Sequence, residues 1–165
     1  MGFKVLIPQD VSDTGKAYLR ELGYEIKMGS GMSEEAIKND VTDCDAILVT
    51  TLPITEAVLK AGKKLKVVAR HGVGVDNVDI KTATQLGIFV TNGPLSNANT
   101  VAEHTMTFVL ALAKHIVLHN NQMRTGNFDI KYEYKNMDVQ GKTVGLIGAG
   151  RIGYFITSMR RKESK

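Results

Sequence analysis

Five short apolar runs, each followed by a segment with helical spacing, limit what this chain can fold into. The runs are residues 4–7, 24–28, 46–50, 67–70 and 88–91. Most are continuous apolar stretches rather than alternating ones, as expected of strands covered on both faces. Helical patterns fit between them at residues 13–22, 33–39, 55–61 and 79–86. Ser33 followed at once by Glu34 and Glu35 is a start signal, and Gly23, Gly62 and Gly87 stand just past helix ends. Strands alternating with helices predict a parallel α/β sheet. Right-handed crossovers leave few topologies, and the first hundred residues are expected to form a flavodoxin-like or Rossmann-like sheet.

A different section follows. Thr100-Val101-Ala102-Glu103 has the form of a capping box, which predicts the start of a long helix. Its inward positions, Val101, Thr105, Phe108, Val109, Leu112 and Ile116, recur at helical spacing to about His119. Residues 124–140 read as an irregular connection. Residues 142–147 read as a new strand that runs directly into Gly148-Ala149-Gly150-Arg151-Ile152-Gly153. In such a strand-to-helix context Gly148 permits a tight turn, Gly150 lets the backbone approach a pyrophosphate, and Gly153 lets the helix pack closely. The helix N-terminus would then offer N–H groups to phosphates. The alternative is a glycine-rich turn without a ligand.

A second segment of chemical interest, Arg70-His71-Gly72-Val73-Gly74-Val75-Asp76-Asn77-Val78-Asp79, leaves the carboxyl end of the fourth predicted strand. Ligands of open α/β sheets bind at that edge. Two glycines one residue apart let successive main-chain N–H groups converge into an anion-binding nest, suited to a carboxylate. The alternative is a flexible turn leading to a helix capped by Asp79.

Composition narrows the class of partner. With 43% hydrophobic and 23% charged residues in 165, the chain has the make-up of a soluble globular protein. The formal charge of +4 is concentrated in residues 160–165, which hold four basic groups and one acid, so nothing points to a nucleic-acid surface. The single cysteine, Cys44, rules out an internal disulfide and is expected to be a plain buried side chain. The opening residues lack the form of a signal peptide, and the most apolar stretch, residues 105–113, is about half a membrane span. A cytoplasmic location with no membrane contact is expected. His115 and His119 fall near the expected end of the long helix, His104 in its first turn, and His71 in the nest loop. No acidic or cysteine ligand accompanies them, so no metal site is expected.

The ordered segments Leu65 through Asp79, Gly87 through Pro94, Asn97, Val101 through His104 and Gly145 through Gly153 resemble the D-2-hydroxyacid dehydrogenases. The resemblance covers the chain to about Tyr154. It implies an NAD-dependent oxidoreductase that interconverts a small D-2-hydroxy acid and its 2-keto acid. Residues 1–99 would be the substrate-binding domain, and residues 100–165 the truncated start of a Rossmann NAD-binding domain. By the same resemblance, His71, Gly72, Val73, Gly74 and Asn97 would meet the substrate, with the backbone of residues 72–74 holding its carboxylate. Val73, Gly148, Gly150, Arg151, Ile152 and Gly153 would meet NAD. By the same resemblance the family's catalytic Arg, Glu and His come on the order of a hundred residues after the glycines, and its acidic ribose ligand about 20 positions after them. No acid/base residue is therefore carried over, Glu103 is read as a cap, and the 165 residues alone are expected to be inactive. The tail after Met159 departs from the family and has the look of a frameshift or altered stop. A homodimer built on the long helix and residues 120–140, or a poorly ordered segment beyond Met137, is expected. Phosphoglycerate dehydrogenases tend to carry Arg-Ser after the third strand, where this chain has Val49-Thr50, though Thr50 and Thr51 retain hydrogen-bonding capacity. A non-enzymatic dinucleotide sensor or a subunit-interaction module on the same fold stays open.

Overall fold

The computed structural model describes residues 2–159, so the basic tail of residues 160–165 lies outside the described residues. The chain divides into two units, Met1–Ser96 and Asn97–Lys165.

In the first unit the apolar runs become β1 (Lys4–Ile7), β2 (Glu25–Met28), β3 (Ala46–Val49), β4 (Val67–Arg70) and β5 (Phe89–Asn92). All pair in parallel, in the order β2-β1-β3-β4-β5. The intervening helices are α1 (Asp13–Glu21), α2 (Glu34–Asp40), α3 (Glu56–Ala61) and α4 (Ile80–Gln85). Each starts where a short polar side chain can accept from an otherwise unpaired backbone N–H: Ser12 from Gly15, Ser33 from Ala36, Thr55 from Val58, Asp79 from Thr82. Gly23 and Gly87 close α1 and α4 with φ of +80° and +69°, a conformation that an L side chain resists.

Alternate residues along the central strands enter opposite layers. Leu6, Ile47, Val49 and Val68 join Ile37, Val41, Val58 and Leu59 in one cluster, while Val5, Ile7 and Ala46 pack with Val11 and Leu19 on the other face. Both faces are thus covered, which is why the strands read as unbroken apolar runs. Each fully buried aliphatic side chain contributes roughly 1.5–3 kcal/mol relative to exposure. At the amino edge of the sheet Asp43 accepts from Lys4 at 2.8 Å and Lys27 at 2.9 Å. Those ammonium groups hold its carboxyl well below the usual carboxylate range. Cys44 is buried, and burial pushes its thiol up to about 11, so it stays protonated.

The second unit departs from the sequence pattern in four ways. Helix α5 (Ala98–Ala113) starts two residues before Thr100, capped by Asn97 without a side-chain hydrogen bond. Thr100 is therefore already inside the helix, where its hydroxyl cannot act as a cap, and Glu103 accepts from Asn99 Nδ2 at 3.1 Å instead. Second, the helix does not run to His119. It stops at Lys114, His115 takes a left-handed conformation with φ of 47°, and α6 (Ile116–Arg124) leaves at a 60° bend. His115 thus stands between the two helices, one residue past the C-cap of α5 and at the N-cap of α6, and His119 lies inside α6.

Third, the inward face differs. Ala98, Ala102 and Ala113 are buried, four and eleven residues apart, while the expected inward residues Phe108, Leu112 and Ile116 are exposed. Helix α8 (Arg151–Met159) packs on α5 and buries Gly153. Fourth, residues 142–147 form no strand, and Ile147 is fully exposed. A strand exists only as one side of a ladder, and among the described residues this segment has no pairing partner. The connection at 124–140 carries one short helix, α7 (Ile130–Glu133), whose Ile130 is buried.

Candidate functional site

The carboxyl edge of the five-stranded sheet gathers the polar chemistry of the first unit. His71 N–H donates to Val49 O at 2.7 Å, continuing the β3–β4 ladder one residue past the strand. The chain then turns at Gly72, with φ of +152° and its own N–H donating to Arg70 O at 2.9 Å. Gly72 O accepts from Gly93 N at 2.8 Å, and Val73 O accepts from Asn92 Nδ2 at 2.6 Å, so both carbonyls are tied to the end of β5. With the oxygens anchored, the N–H groups of Val73 and Gly74 donate to no group among the described residues. The loop ends where Asn77 donates through Nδ2 to Leu52 O at 2.8 Å and Asp79 caps α4. Hydrogen bonds from Thr82 hold the Asp79 carboxyl below its ordinary value.

Gly72 is buried whereas His71, Val73 and Gly74 are exposed. A Cβ at Gly72 would fall on Arg70 Nη1. The guanidinium is folded back over this glycine, its Nη1 donating to His71 O at 3.4 Å and its Nε buried without a partner among the described residues. A second polar residue at the same edge, Gln9, lies two positions past β1. Its Oε1 accepts from the N–H groups of Thr51 at 2.9 Å and Leu52 at 3.3 Å and from the Thr50 hydroxyl. Neither Arg70 nor Gln9 was assigned a role from the sequence. Their position, at and just past the ends of central strands, is the signal that marks such residues.

In the second unit, the segment at residues 148–153 has the conformation its glycines allow. Gly148 turns with φ of +89°, Gly150 has no atom within 4 Å of where a Cβ would stand, and a Cβ at Gly153 would meet Gly148 O at 2.9 Å. Helix α8 follows at once, with Tyr154 N–H donating to Gly150 O at 2.9 Å. A sharp turn, an open approach and a close contact are what a backbone receiving a pyrophosphate requires, so these residues fit a dinucleotide. Arg151 and Ile152 open the helix, both exposed, and Asn97 is exposed at the start of α5. The structure brings His71, Gly72, Val73 and Gly74 together on one loop of the first unit; Asn97 and residues 148–153 belong to the second.

The remaining histidines form no such site. His104 meets Phe108 edge-on at 4.3 Å between centroids, and His115 lies 6.2 Å from His119 and 6.0 Å from Tyr134. Among the described residues no group of three or more His, Cys, Asp and Glu is arranged to hold a metal ion. No single helix there is long and apolar enough to cross a membrane.

The sequence profile of the D-isomer specific 2-hydroxyacid dehydrogenase catalytic domain matches residues 5–163 and so extends past Tyr154. D-3-phosphoglycerate dehydrogenase of Archaeoglobus fulgidus is 38% identical over 154 residues, which are 93% of this chain and 29% of the relative. The TT0316 protein of Thermus thermophilus superposes with a TM-score of 0.83 at 29% identity, over 95% of this chain and 52% of that one. D-lactate dehydrogenase of Aquifex aeolicus, solved with NAD and lactic acid, gives 0.79 at 26% identity, over 94% and 47%. The chain spans under a third of the length of the curated relative and about half of each solved one.

Proposed function

The chain belongs to the D-isomer-specific 2-hydroxyacid dehydrogenases, and from that membership we propose that the intact protein is an NAD-dependent oxidoreductase interconverting a small D-2-hydroxy acid and its 2-keto acid. The observation that carries this reading is the pair of unclaimed N–H groups at Val73 and Gly74, presented at the carboxyl end of β4. Two main-chain donors side by side suit the two oxygens of a substrate carboxylate, and the anchored carbonyls of Gly72 and Val73 keep them aimed. His71 and Asn97 would stand beside the substrate, and the exposed side chain of Val73 would face the nicotinamide.

Gly148, Gly150, Arg151, Ile152 and Gly153 would hold the pyrophosphate of NAD, which accepts or supplies the hydride. Gly148 makes the turn, Gly150 leaves the approach open, and the first turn of α8 directs its backbone donors at the phosphates. Phosphoglycerate belongs to this substrate class, as the name of the Archaeoglobus relative indicates. None of the 165 residues is assigned as the acid/base that moves the hydroxyl proton, and the polypeptide alone is expected to be inactive. A cytoplasmic homodimer completes the reading. A second reading, a subunit-interaction module, is favoured by one observation: Phe108, Leu112, Ile116 and Val117 are all exposed along α5 and α6.

The test is a titration of the purified 165-residue chain followed by backbone amide resonances. Glyoxylate or D-lactate is expected to move Val73 and Gly74, and NAD to move residues 148–153, with NAD binding weaker than about 1 mM. No NADH signal is expected with D-lactate, hydroxypyruvate, glyoxylate or 3-phosphoglycerate. Carboxylate shifts elsewhere on the sheet would overturn the assignment of the nest, and measurable turnover would overturn the absence of an acid/base residue.

A further inference from the structure

We propose that Gln9 is a specificity-determining residue that closes the crevice between β1 and β3 to a distal anionic group, so that the substrate is an unphosphorylated 2-hydroxy or 2-keto acid. The proposal rests on the dehydrogenase reading given above and names the substrate class of that same sheet edge. In the order β2-β1-β3-β4-β5 the chain reverses its winding direction between β1 and β3. The connection after β1 packs on the layer holding Val11 and Leu19, and the one after β3 on the layer holding Ile54 and Val58. Connections that leave in opposite directions open a crevice beyond the strand ends, and open α/β sheets bind ligands there.

In this protein the crevice has a resident. Thr51 and Leu52 present two successive N–H groups that converge on one point, the donor arrangement of an anion nest, and the oxygen at that point is Gln9 Oε1, at 2.9 and 3.3 Å. The Thr50 hydroxyl also donates to it, and Gln9 Nε2 donates to Thr51 Oγ1 at 3.3 Å. Every donor that the segment after β3 offers at this point is therefore engaged by one neutral side chain of the same unit. A phosphoryl group would have to displace that amide and leave its own donors and acceptor to be solvated anew. The charges alongside do not help it. Asp10 adds a carboxylate next to Gln9, and Lys16 is paired with Asp10 and Asp13 at 2.8 Å each. The strand-end cation Arg70 is turned onto His71 O. A short substrate held by its carboxylate at Val73 and Gly74 asks nothing of the Gln9 cluster.

The experiment compares the 165-residue chain with Gln9→Ala and Gln9→Glu by amide exchange and by titration with inorganic phosphate, 3-phosphoglycerate and glyoxylate. In the unsubstituted chain the Thr51 and Leu52 amides are expected to be protected and unmoved by phosphate or 3-phosphoglycerate. In Gln9→Ala they should exchange at least about tenfold faster, the loss of a hydrogen-bond acceptor, and begin to respond to phosphate. Gln9→Glu keeps an acceptor oxygen and adds a negative charge, so protection should return without a phosphate response, which a merely structural disturbance would not produce. The proposal is overturned if the unsubstituted chain binds phosphate at Thr51 and Leu52 or at Arg70 Nε, if Gln9→Ala leaves exchange unchanged, or if Gln9→Glu behaves like Gln9→Ala. Failure of the dehydrogenase reading looks different: glyoxylate then leaves Val73 and Gly74 unmoved in all three chains.

Discussion

The two units of this chain use similar proportions of apolar sequence to different ends. In residues 2–96 large aliphatic side chains, Leu6, Ile7, Ile37, Ile47, Ile54 and Leu59 among them, are fully buried on both faces of a paired sheet. Beyond Ser96 the buried apolar residues among those described are Ala98, Ala102, Ala113 and Ile130, while Phe108, Leu112, Ile116, Val144 and Ile147 face outward. Small residues permit close helix packing but remove little apolar area from water. The first unit is thus held by its own core, and the second presents surface that a further layer would cover.

Amide exchange gives the largest contrast. The central strands β1, β3 and β4 should exchange only through global opening, slowed on the order of a thousandfold or more, whereas residues 142–147 should exchange within about tenfold of an unprotected chain. Protection across 142–147 would mean that a ladder partner exists and would erase the distinction. Protection along residues 101–119 that rises with protein concentration, together with a concentration-dependent mass, would place a second copy on α5.

Side-chain truncation sharpens the comparison at the next scale. Ile47→Ala in the sheet should cost about 3 kcal/mol, since it leaves a cavity between covered faces. Leu112→Ala should stay within about 0.5 kcal/mol, as expected of an exposed position. Denaturant midpoints measured by circular dichroism decide this, and a large loss at Leu112 would show that the residue is covered in solution. The smallest effect concerns helix starts. Thr55→Ala should cost about 1 kcal/mol because its hydroxyl accepts from Val58 N–H, whereas Thr100→Ala should cost less than about 0.5 kcal/mol. Equal costs would restore Thr100 as a cap.

What the sequence made legible follows the same division. The strands of the first unit were placed to within a residue at each end because their apolar runs are short, bounded by caps and glycines, and satisfied by neighbours within the same hundred residues. The turn at Gly148 and the helix after it were legible because glycine positions act locally, through φ and through close approach. The strand expected at 142–147 was read from the same apolar pattern, but a strand needs a partner, and pattern alone does not supply one. The capping box failed at Thr100 because Ala98 and Asn99 had already begun the helix, and no spacing rule foretold that His115 would break it. Gln9 escaped notice because its partners, Thr50 to Leu52, lie some forty residues away in sequence.

Gly72 carries a consequence for variation at this loop. The volume where its side chain would stand is taken by the Arg70 guanidinium, the flexible end of a long side chain. Any larger residue at 72 must therefore displace the guanidinium from its present place, and must also hold a φ of +152° that an L side chain rarely adopts. The two positions are expected to be epistatic: a library that mutates Gly72 singly is also a screen of Arg70 placement, and a double-mutant cycle separates the two effects. Field strength at the edge can thus be tuned by an uncharged substitution, with the formal charge of the protein unaltered.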